Sequence, residues 1–407
     1  MADIVFGSGI SILGSISITP PPTVPGAPTI GVATATSATT ATVAFTAPIN
    51  NGGATITSYT ATSSPAGGTG TLSQAGSGTI TVTGLTGDTS YTFTVTATNS
   101  VGTSSPSASS NSITTDPLFT GNKVIFGYGY APPSASSITN LVSNAGVVAT
   151  DTTGVGTARI GPGAAGYGGD KAIFGFGFTD GGSNVYSVTN LVSNTGVVSN
   201  DTAGVGTARM YVQAAGYGTD KAIFAYGYTS APNYLNVSTR NLVSNTGVVA
   251  NDTSGAGTAR QLGAAAGYGT DKAIFGYGYN LGYVSMTNLV TNTGVVGNDV
   301  TGVGTARQGL AATGYGGDKA MFVFDGPTSI NNLVSNTGVV SNDTSIAGTN
   351  RSALAAAVYG TDKAILGFGY TTAFTNITSL VTNTGVVGND VAGVGTARSL
   401  PGAAAYG

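Results

Sequence analysis

A unit of about 45–50 residues repeats six times between Asn122 and Gly407, and it constrains the fold of this chain more than any other feature. Each copy holds a run such as DKAIFGFGF at Asp170, a variable insert, a segment such as VTNLVSNTGVVSNDTAGVGTAR, and a small-residue tail such as AAGYG. One lysine and one arginine recur per copy: Lys123, Lys171, Lys221, Lys272, Lys319 and Lys363, and Arg159, Arg209, Arg260, Arg307, Arg351 and Arg398. Short apolar runs and many glycines on a fixed period predict repeated small β-sheets.

The composition narrows the classes of function. Charged residues make up only 7% of the chain, there is no His, Cys or Trp, and the formal net charge is −3. The absence of cysteine excludes disulfides and thiolate metal sites. Twelve of the 13 Lys and Arg residues belong to the repeated pattern, with Arg240 as the exception, so no basic patch predicts binding to nucleic acid.

The first 22 residues predict an extended segment followed by a stiff Pro20-Pro21-Pro22 linker. They lack the basic start and the continuous apolar run of a signal peptide, and no stretch is long enough to insert into a membrane. Two interpretations are open: a strand that packs on the next domain, or an anchor that adds to the sheet of a neighbouring subunit. The candidate attachment residues are Ile4, Phe6, Ile10, Ile12 and Ile16.

Residues 23–116 predict seven short strands that form a β-sandwich. The run LTGDTSYTFTVTATNSVG starts at Leu85, and TATVAFTAP contains Phe45. These residues resemble a fibronectin type III domain: Leu85, Tyr91, Phe93, Val95, Ala97, Asn99 and Gly102 match its pattern, with Phe45 in place of the family's core Trp. The resemblance implies that the Tyr91 hydroxyl bonds to the backbone of the preceding corner. It also implies a spacer or adhesive role.

Each repeat predicts four strands: the small-residue tail, the KAIFG run, the TNLV run, and GVV with its continuation toward Asp. The first copy lacks the tail and the last ends with it, so Ala403–Tyr406 are expected to pair with Val124–Phe126. Residues 117–407 therefore predict an all-β, six-bladed β-propeller closed by its two ends. With Gly-aromatic-Gly at positions such as Gly127-Tyr128-Gly129, it resembles the kelch repeat, without the kelch Trp.

Nothing in the sequence predicts catalysis, a cofactor or a metal. The Asp-Lys pairs, the Asn-Asp pairs and the arginine recur once per repeat, which favours turn caps and ion pairs between repeats. Calcium held by Asp and carbonyl oxygens is the alternative, although each turn offers one carboxylate. The chain also lacks the residue types that general acid–base chemistry uses most, because it has no His and no Glu.

The main variation lies in the insert between the second and third strands, which differs in length and content from copy to copy. The inserts are residues 131–137, 179–187, 229–239, 280–285, 326–329 and 371–376. Variable loops on a rigid scaffold are common binding sites. The candidate ligand-binding residues are Tyr186, Tyr234, Arg240, Tyr283 and Phe374; the alternative is that these loops have drifted without binding anything.

Taken together, the chain resembles structural proteins of bacteriophage virions, such as tail fibres and decoration proteins. The resemblance implies a particle-anchored adhesin, made in the host cytoplasm and carried on the virion. Its N-terminal segment would bind other virion proteins, and its repeat domain would bind a glycan or protein on the host surface. A decoration protein that binds only virion proteins is the first alternative, and a polysaccharide-degrading propeller enzyme is the second.

Overall fold

The computed structural model describes residues 20–36, 39–87, 89–115, 123–182, 184–230, 232–324 and 329–407. Its contacts divide the chain into two compact units, with the boundary in the sequence between residues 115 and 116. The attachment residues proposed at Ile4, Phe6, Ile10, Ile12 and Ile16 lie outside the described residues.

The first unit is built from seven strands, as predicted. They are β1 (Thr29–Ala35), β2 (Thr40–Thr46), β3 (Ile56–Ser64), β4 (Thr69–Leu72), β5 (Gly78–Thr83), β6 (Ser90–Asn99) and β7 (Ile113–Thr114). Their order is β1-β2-β5-β4-β3-β6-β7, and a single residue pair, Thr69 with Thr83, joins β4 to β5. Asn111 hydrogen-bonds to the backbone of Ala33 in β1, so the two edges of the sheet approach and nearly close a barrel.

The core of the first unit follows the alternation of apolar and polar residues along its strands. In β2, Ala41, Val43 and Phe45 are buried, and the Phe45 ring lies 4.2 Å from the ring of Tyr59. The hydroxyl of Tyr91 accepts a hydrogen bond from the backbone N–H of Thr86 at 3.0 Å. This confirms the corner role implied for that tyrosine.

Serine side chains replace strand pairing along the last part of β6. Ser104, Ser107 and Ser110 are buried and spaced by three residues, the period of an extended polyproline-type chain. Each serine donates its backbone N–H to a β6 carbonyl, and its hydroxyl accepts a β6 N–H at 3.0 Å. Residues 104–110 are therefore bonded to β6 through these serines, and only two residues of the following chain form the regular strand β7.

The second unit contains six small sheets, numbered here in chain order. Sheet 1 is β27 (Gly402–Tyr406), β8 (Lys123–Ala131) and β9 (Ser134–Val142); sheet 2 is β10 (Gly163–Tyr167), β11 (Lys171–Gly175) and β12 (Thr189–Val192); sheet 3 is β13 (Gln213–Tyr217), β14 (Lys221–Ala225) and β15 (Arg240–Val243). Sheet 4 is β16 (Ala264–Tyr268), β17 (Lys272–Tyr279) and β18 (Tyr283–Val290); sheet 5 is β19 (Ala311–Tyr315), β20 (Lys319–Val323), β21 (Ile330–Val334) and β22 (Thr344–Ser345); sheet 6 is β23 (Ala355–Tyr359), β24 (Lys363–Gly367), β25 (Thr378–Val381) and β26 (Val387–Val391).

The six sheets follow one another in a closed cycle. The first strand of each sheet contacts the first strand of the next, and β23 of sheet 6 contacts β27 of sheet 1. β27 pairs antiparallel with β8, and Ala403 lies opposite Phe126 and Ala405 opposite Val124. The pairing predicted between the two ends of the repeat domain is confirmed.

Small residues let the first strands approach one another closely. An added Cβ on Gly216 would lie 3.4 Å from the Gly166 carbonyl oxygen of the preceding sheet. At the hairpin turns, a glycine N–H of one sheet donates to an aspartate carbonyl of the next. The donors Gly168, Gly218, Gly269, Gly316 and Gly407 lie 2.7 Å from the carbonyl oxygens of Asp220, Asp271, Asp318, Asp362 and Asp170, respectively.

The prediction of a fourth strand in every repeat was wrong for four of the six sheets. Only sheets 5 and 6 contain one, and in sheet 2 it is reduced to isolated bridges such as Val192 with Val198 and Thr189 with Thr202. The Asn190 side-chain amide donates to the Ser199 carbonyl and to Asp201, so it takes the place of part of a regular ladder.

The Gly-aromatic-Gly segment is a bulge that places an aromatic residue in the left-handed region. The pairing of β8 with β9 shifts register between Gly127 and Gly129. Six residues at the aromatic position have φ between 56° and 65°: Tyr128, Phe176, Tyr226, Tyr277, Phe324 and Phe368. Such φ values are rare for bulky side chains, so the surrounding contacts must hold them.

The all-β class is confirmed. Among the described residues, the only helical element is a three-residue 3-10 turn, Asp180–Gly182. Within those same ranges, no helix has the length and apolar character needed to cross a membrane.

We expect deletion of residues 402–407 to expose the edge of β8 and to make unfolding of the second unit easier and less cooperative. Thermal melting and size-exclusion chromatography of the truncated chain would show a lower Tm and self-association. A synthetic peptide of residues 399–407 added in trans should restore part of the Tm. Unchanged melting of the truncated chain would contradict the importance of this closure.

Replacement of Gly177 by Ala should destabilise the second unit by about 2–3 kcal/mol. Gly177 has a φ of 103°, and an added Cβ would lie 2.8 Å from the Ile160 carbonyl oxygen. Gly282→Ala is the matched control, because an added Cβ there meets no atom within 4 Å. Equal chemical-denaturation midpoints for the two variants would contradict this account of the bulge.

Candidate binding face

A buried arginine lies between each pair of neighbouring sheets. Arg159, on the connection from sheet 1 to sheet 2, is fully buried, and its guanidinium carbon lies 4.2 Å from the centre of the Tyr128 ring. Its Nη2 donates to Asn190 Oδ1 of sheet 2 at 2.6 Å, and its Nη1 lies 3.8 Å from Asp201. We call this set of contacts the arginine clasp. It links the bulge of one sheet to the third strand of the next.

The stacking contact of the clasp recurs around the cycle. All six arginines are fully buried and lie 3.9–5.2 Å from the centre of an aromatic ring of the preceding sheet. The pairs are Arg159 with Tyr128, Arg209 with Phe176, Arg260 with Tyr226, Arg307 with Tyr277, Arg351 with Phe324, and Arg398 with Phe368. The sequence predicted that these arginines contact neighbouring repeats, and the structure places each one between two neighbouring sheets.

The clasp aspartate also fastens the connecting segment. Asp201 accepts hydrogen bonds from the N–H and hydroxyl of Thr157 and from the side-chain amide of Asn190. Burial alone would raise the pKa of Asp201, but these hydrogen bonds and the charge of Arg159 outweigh it and lower the pKa. Burial lowers the pKa of Arg209 and of Arg398 to about 10.

The Asp-Lys pairs lie on the surface at the hairpin turns. Lys171 contacts Asp170, Lys221 contacts Asp220, and the side chains of the five paired lysines are 41–47% exposed. Ion pairs this exposed contribute little to stability. In the parts of the chain that the structure describes, no group of three or more His, Cys, Asp or Glu side chains could hold a metal ion.

The inserts emerge next to the connections that carry the arginines. Within the described ranges, the residue after five of the six clasp arginines bridges to the second residue after the bulge aromatic, as Ile160 does to Phe178 and Met210 to Tyr228. Each insert begins directly after that residue, so all inserts described lie at the end of the cycle where the connections cross. We call this end the insert face.

Among the described residues, no ring contact, ion pair or side-chain hydrogen bond joins two of the five predicted ligand-binding residues. Tyr234 and Tyr283 are 57% and 62% exposed, and each packs against an aromatic residue of its own repeat. Tyr186 is half-buried, with its N–H bonded to the Gly177 carbonyl. Phe374 is half-buried between two tyrosines, and Arg240 begins β15, in the sheet rather than in the insert.

Sequence reasoning missed a set of aromatic residues that the insert face does share. These are Tyr130, Phe178, Tyr228, Tyr279 and Tyr370, the last aromatic residues of the GYGY-like runs. We call them the aromatic crown. Phe374, Tyr234 and Tyr283 pack against crown tyrosines at ring-centre distances of 5.2–6.3 Å. The period of these aromatics was visible in the sequence, but their position just after the bulge, at the start of each insert, was not.

The third insert forms a pocket of about 370 Å³ with the connection between sheets 2 and 3. Thr229, Ser230 and Asn233 line it on the insert side, and Thr207 and Ala208 on the other. These side chains are uncharged. The pocket therefore offers hydroxyl and amide groups to a ligand, but no formal charge.

We expect the stability of the second unit to fall as the pH drops through the acid range. The clasp aspartates have lowered folded-state pKa values, so their ionised form stabilises the fold above the unfolded pKa of about 3.9. That stabilisation is lost as the pH falls through the lower folded-state pKa. Melting curves of Asp201→Asn should show a lower Tm near neutral pH and a shallower decline in acid.

Asp170→Asn, in an exposed Asp-Lys pair, is the control and should follow the wild-type pH profile. If Asp201→Asn and the wild type declined in parallel, the carboxylate would not be the source of the acid sensitivity.

Comparison with known proteins concerns the first unit. A scan against protein-family models matches the fibronectin type III domain to residues 26–113. The comparison with curated proteins found no match. The match agrees with the seven strands and with the Tyr91 corner described above. Residues 26–113 are therefore a fibronectin type III domain.

Proposed function

We propose that the second unit is a six-bladed, kelch-like β-propeller. Six small antiparallel sheets in a closed cycle, completed by pairing of the two ends of the repeat domain, support this assignment. The glycine-rich end of the second strand and the arginine before the first support the likeness to kelch repeats.

We propose that this propeller is a binding module rather than an enzyme, and that its insert face contacts the ligand. One observation carries this proposal: the repeats differ most in the inserts, and the described inserts share one face. The repeated charged residues are engaged in clasps between sheets or in turn pairs, which leaves them little capacity for chemistry. Exposed aromatic rings next to hydroxyl and amide groups suit carbohydrate, because rings stack on sugar faces while the polar groups bond to sugar hydroxyls.

We propose that the whole chain is a bacteriophage virion protein of the adhesin type, assembled in the host cytoplasm. The N-terminal segment would attach to other virion proteins, and the fibronectin type III domain would act as a spacer. The resemblance in composition and domain order supports this placement, together with the absence of cysteine.

The test is binding of the labelled full chain to a panel of bacterial cells and purified surface glycans. We expect replacement of residues 229–239 by the short insert 280–285 to weaken binding at least about tenfold, which is about 1.4 kcal/mol. The Tm should stay unchanged, since inserts vary naturally in length. Replacement of 131–137 by the same short insert is the control for the exchange of an insert at this face.

Binding that survives both replacements would show that the insert face is not the ligand site. Capture of virion proteins alone, without any cell or glycan, would favour a decoration protein.

A further inference from the structure

The junction between sheets 3 and 4 differs from the others by one row of side chains. Gln213, Ala225 and Arg240 lie opposite one another in β13, β14 and β15. In sheet 2 the same row is Gly163, Gly175 and Thr189. Two large polar side chains therefore stand where the neighbouring repeat has a glycine and a threonine.

This row faces the following sheet. Residues directly opposite in paired strands project to the same side of a sheet. An added Cβ on Gly175 would lie 2.8 Å from the Phe224 ring of the next sheet, and the Gln213 amide similarly lies against Gly263. Arg240 consequently projects toward sheet 4, where Asn288 lies opposite Phe275.

The clasp at this junction is incomplete. Arg260 Nη2 and Asn288 Oδ1 are both buried without a hydrogen-bond partner, whereas the matching atoms of Arg159 and Asn190 are 2.6 Å apart. Arg240 Nε and both polar atoms of the Gln213 amide are also buried and unpartnered. Native interiors satisfy most buried polar groups, so such a concentration calls for a missing partner such as a water, an ion or a ligand.

The junction also carries an uncompensated charge. Arg260 lies 3.9 Å from Asp299, the only carboxylate paired with it among the described residues. The half-buried Arg240 forms no ion pair and no side-chain hydrogen bond with any residue in the described ranges. The guanidinium carbon of Arg260 lies 4.1 Å from the centre of the Tyr226 ring, and Tyr226 directly follows Ala225, which lies opposite Arg240. Burial raises the pKa of Tyr226, and both cations act to lower it.

We propose that Arg240 and Arg260 form an anion site that holds an oxyanion with a neighbouring hydroxyl, as in an acidic sugar. The guanidinium groups donate to the oxyanion, and Asn288 Oδ1 accepts from the hydroxyl. Arg240 supplies the solvent-accessible part of the site, and Arg260 supplies the buried part. This inference rests on the proposed glycan-binding function and narrows the ligand to an acidic saccharide.

The test compares three full-length proteins: wild type, Arg240→Thr and Lys171→Thr. Threonine occupies this position in sheets 1, 2, 4 and 6, so Arg240→Thr is compatible with the fold. Lys171→Thr removes the same charge from an exposed turn pair. The probes are glucuronate, inorganic phosphate and glucose, at matched ionic strength, with Tm and calorimetric binding as readouts.

We expect saturating glucuronate to raise the Tm of wild type and of Lys171→Thr by about 2–4 °C, and to leave Arg240→Thr unchanged. Glucose should have no effect on any of them. A response to phosphate as well as to glucuronate would extend the site to phosphate-bearing polymers. A response to phosphate alone, equal responses in all three proteins, no response in any, or an equal response to glucose would overturn the acidic-sugar site.

The cell-binding assay separates this inference from the proposed function. An anion response confined to proteins with Arg240, without binding to any cell or glycan, would leave the site standing and remove the adhesin role. Cell binding by a protein that gives no anion response would support the adhesin role and remove the anion site.

Discussion

A buried guanidinium stacked on an aromatic ring is the interaction on which the second unit depends. Placing a charge between two sheets is costly unless hydrogen bonds and a counter-charge compensate it. Arg159 has both, because Asn190 and Thr157 accept its N–H groups and Asp201 lies nearby. The stacked ring of Tyr128 comes from sheet 1 and the hydrogen-bonding Asn190 from sheet 2, so the arrangement is satisfied only when the two sheets stand in the correct register.

The clasp also explains the strained bulge beside it. A left-handed φ at the aromatic position turns the ring of Tyr128 under the guanidinium. The following Gly129 leaves room for the connection that enters sheet 1, because an added Cβ there would lie 2.7 Å from the Ser399 carbonyl oxygen. In sheet 3 the residue before the bulge is Ala225 and in sheet 5 it is Val323, where sheets 1, 2, 4 and 6 have glycine. Glycine is needed in sheet 1 because an added Cβ on Gly127 would meet the Phe174 ring of sheet 2. In sheet 6 the residue at the position of Phe174 is the smaller Leu366, which leaves room for Val323 of sheet 5.

The sequence was enough to predict what depends on period and alternation. The lysine spacing gave six sheets, the complementary half-repeats gave the pairing of Ala403 with Phe126, and the pattern around Tyr91 gave the fibronectin type III domain. It could not predict the bulge geometry. The positive φ of the aromatic residue in a Gly-Tyr-Gly segment is imposed by tertiary contacts, and the local sequence does not reveal it. For the same reason it overestimated the fourth strand, where the side chain of Asn190 replaces backbone pairing. Arg240 was recognised as unpatterned, but its position in a strand needed the register.

Contacts between neighbouring inserts decide how such a face can recognise a ligand. The Ala135 N–H donates to the Asp180 carboxylate of the next insert, and the Asn236 amide donates to the Tyr279 carbonyl. Phe374 packs against Tyr130 at 5.4 Å, across the point where the chain closes on itself. Each insert is therefore positioned partly by its neighbour, while the arginine clasps beneath fix the sheets that carry both. Changes in one loop then alter the shape offered by the next without disturbing the scaffold, so a repeated fold can present an unrepeated surface.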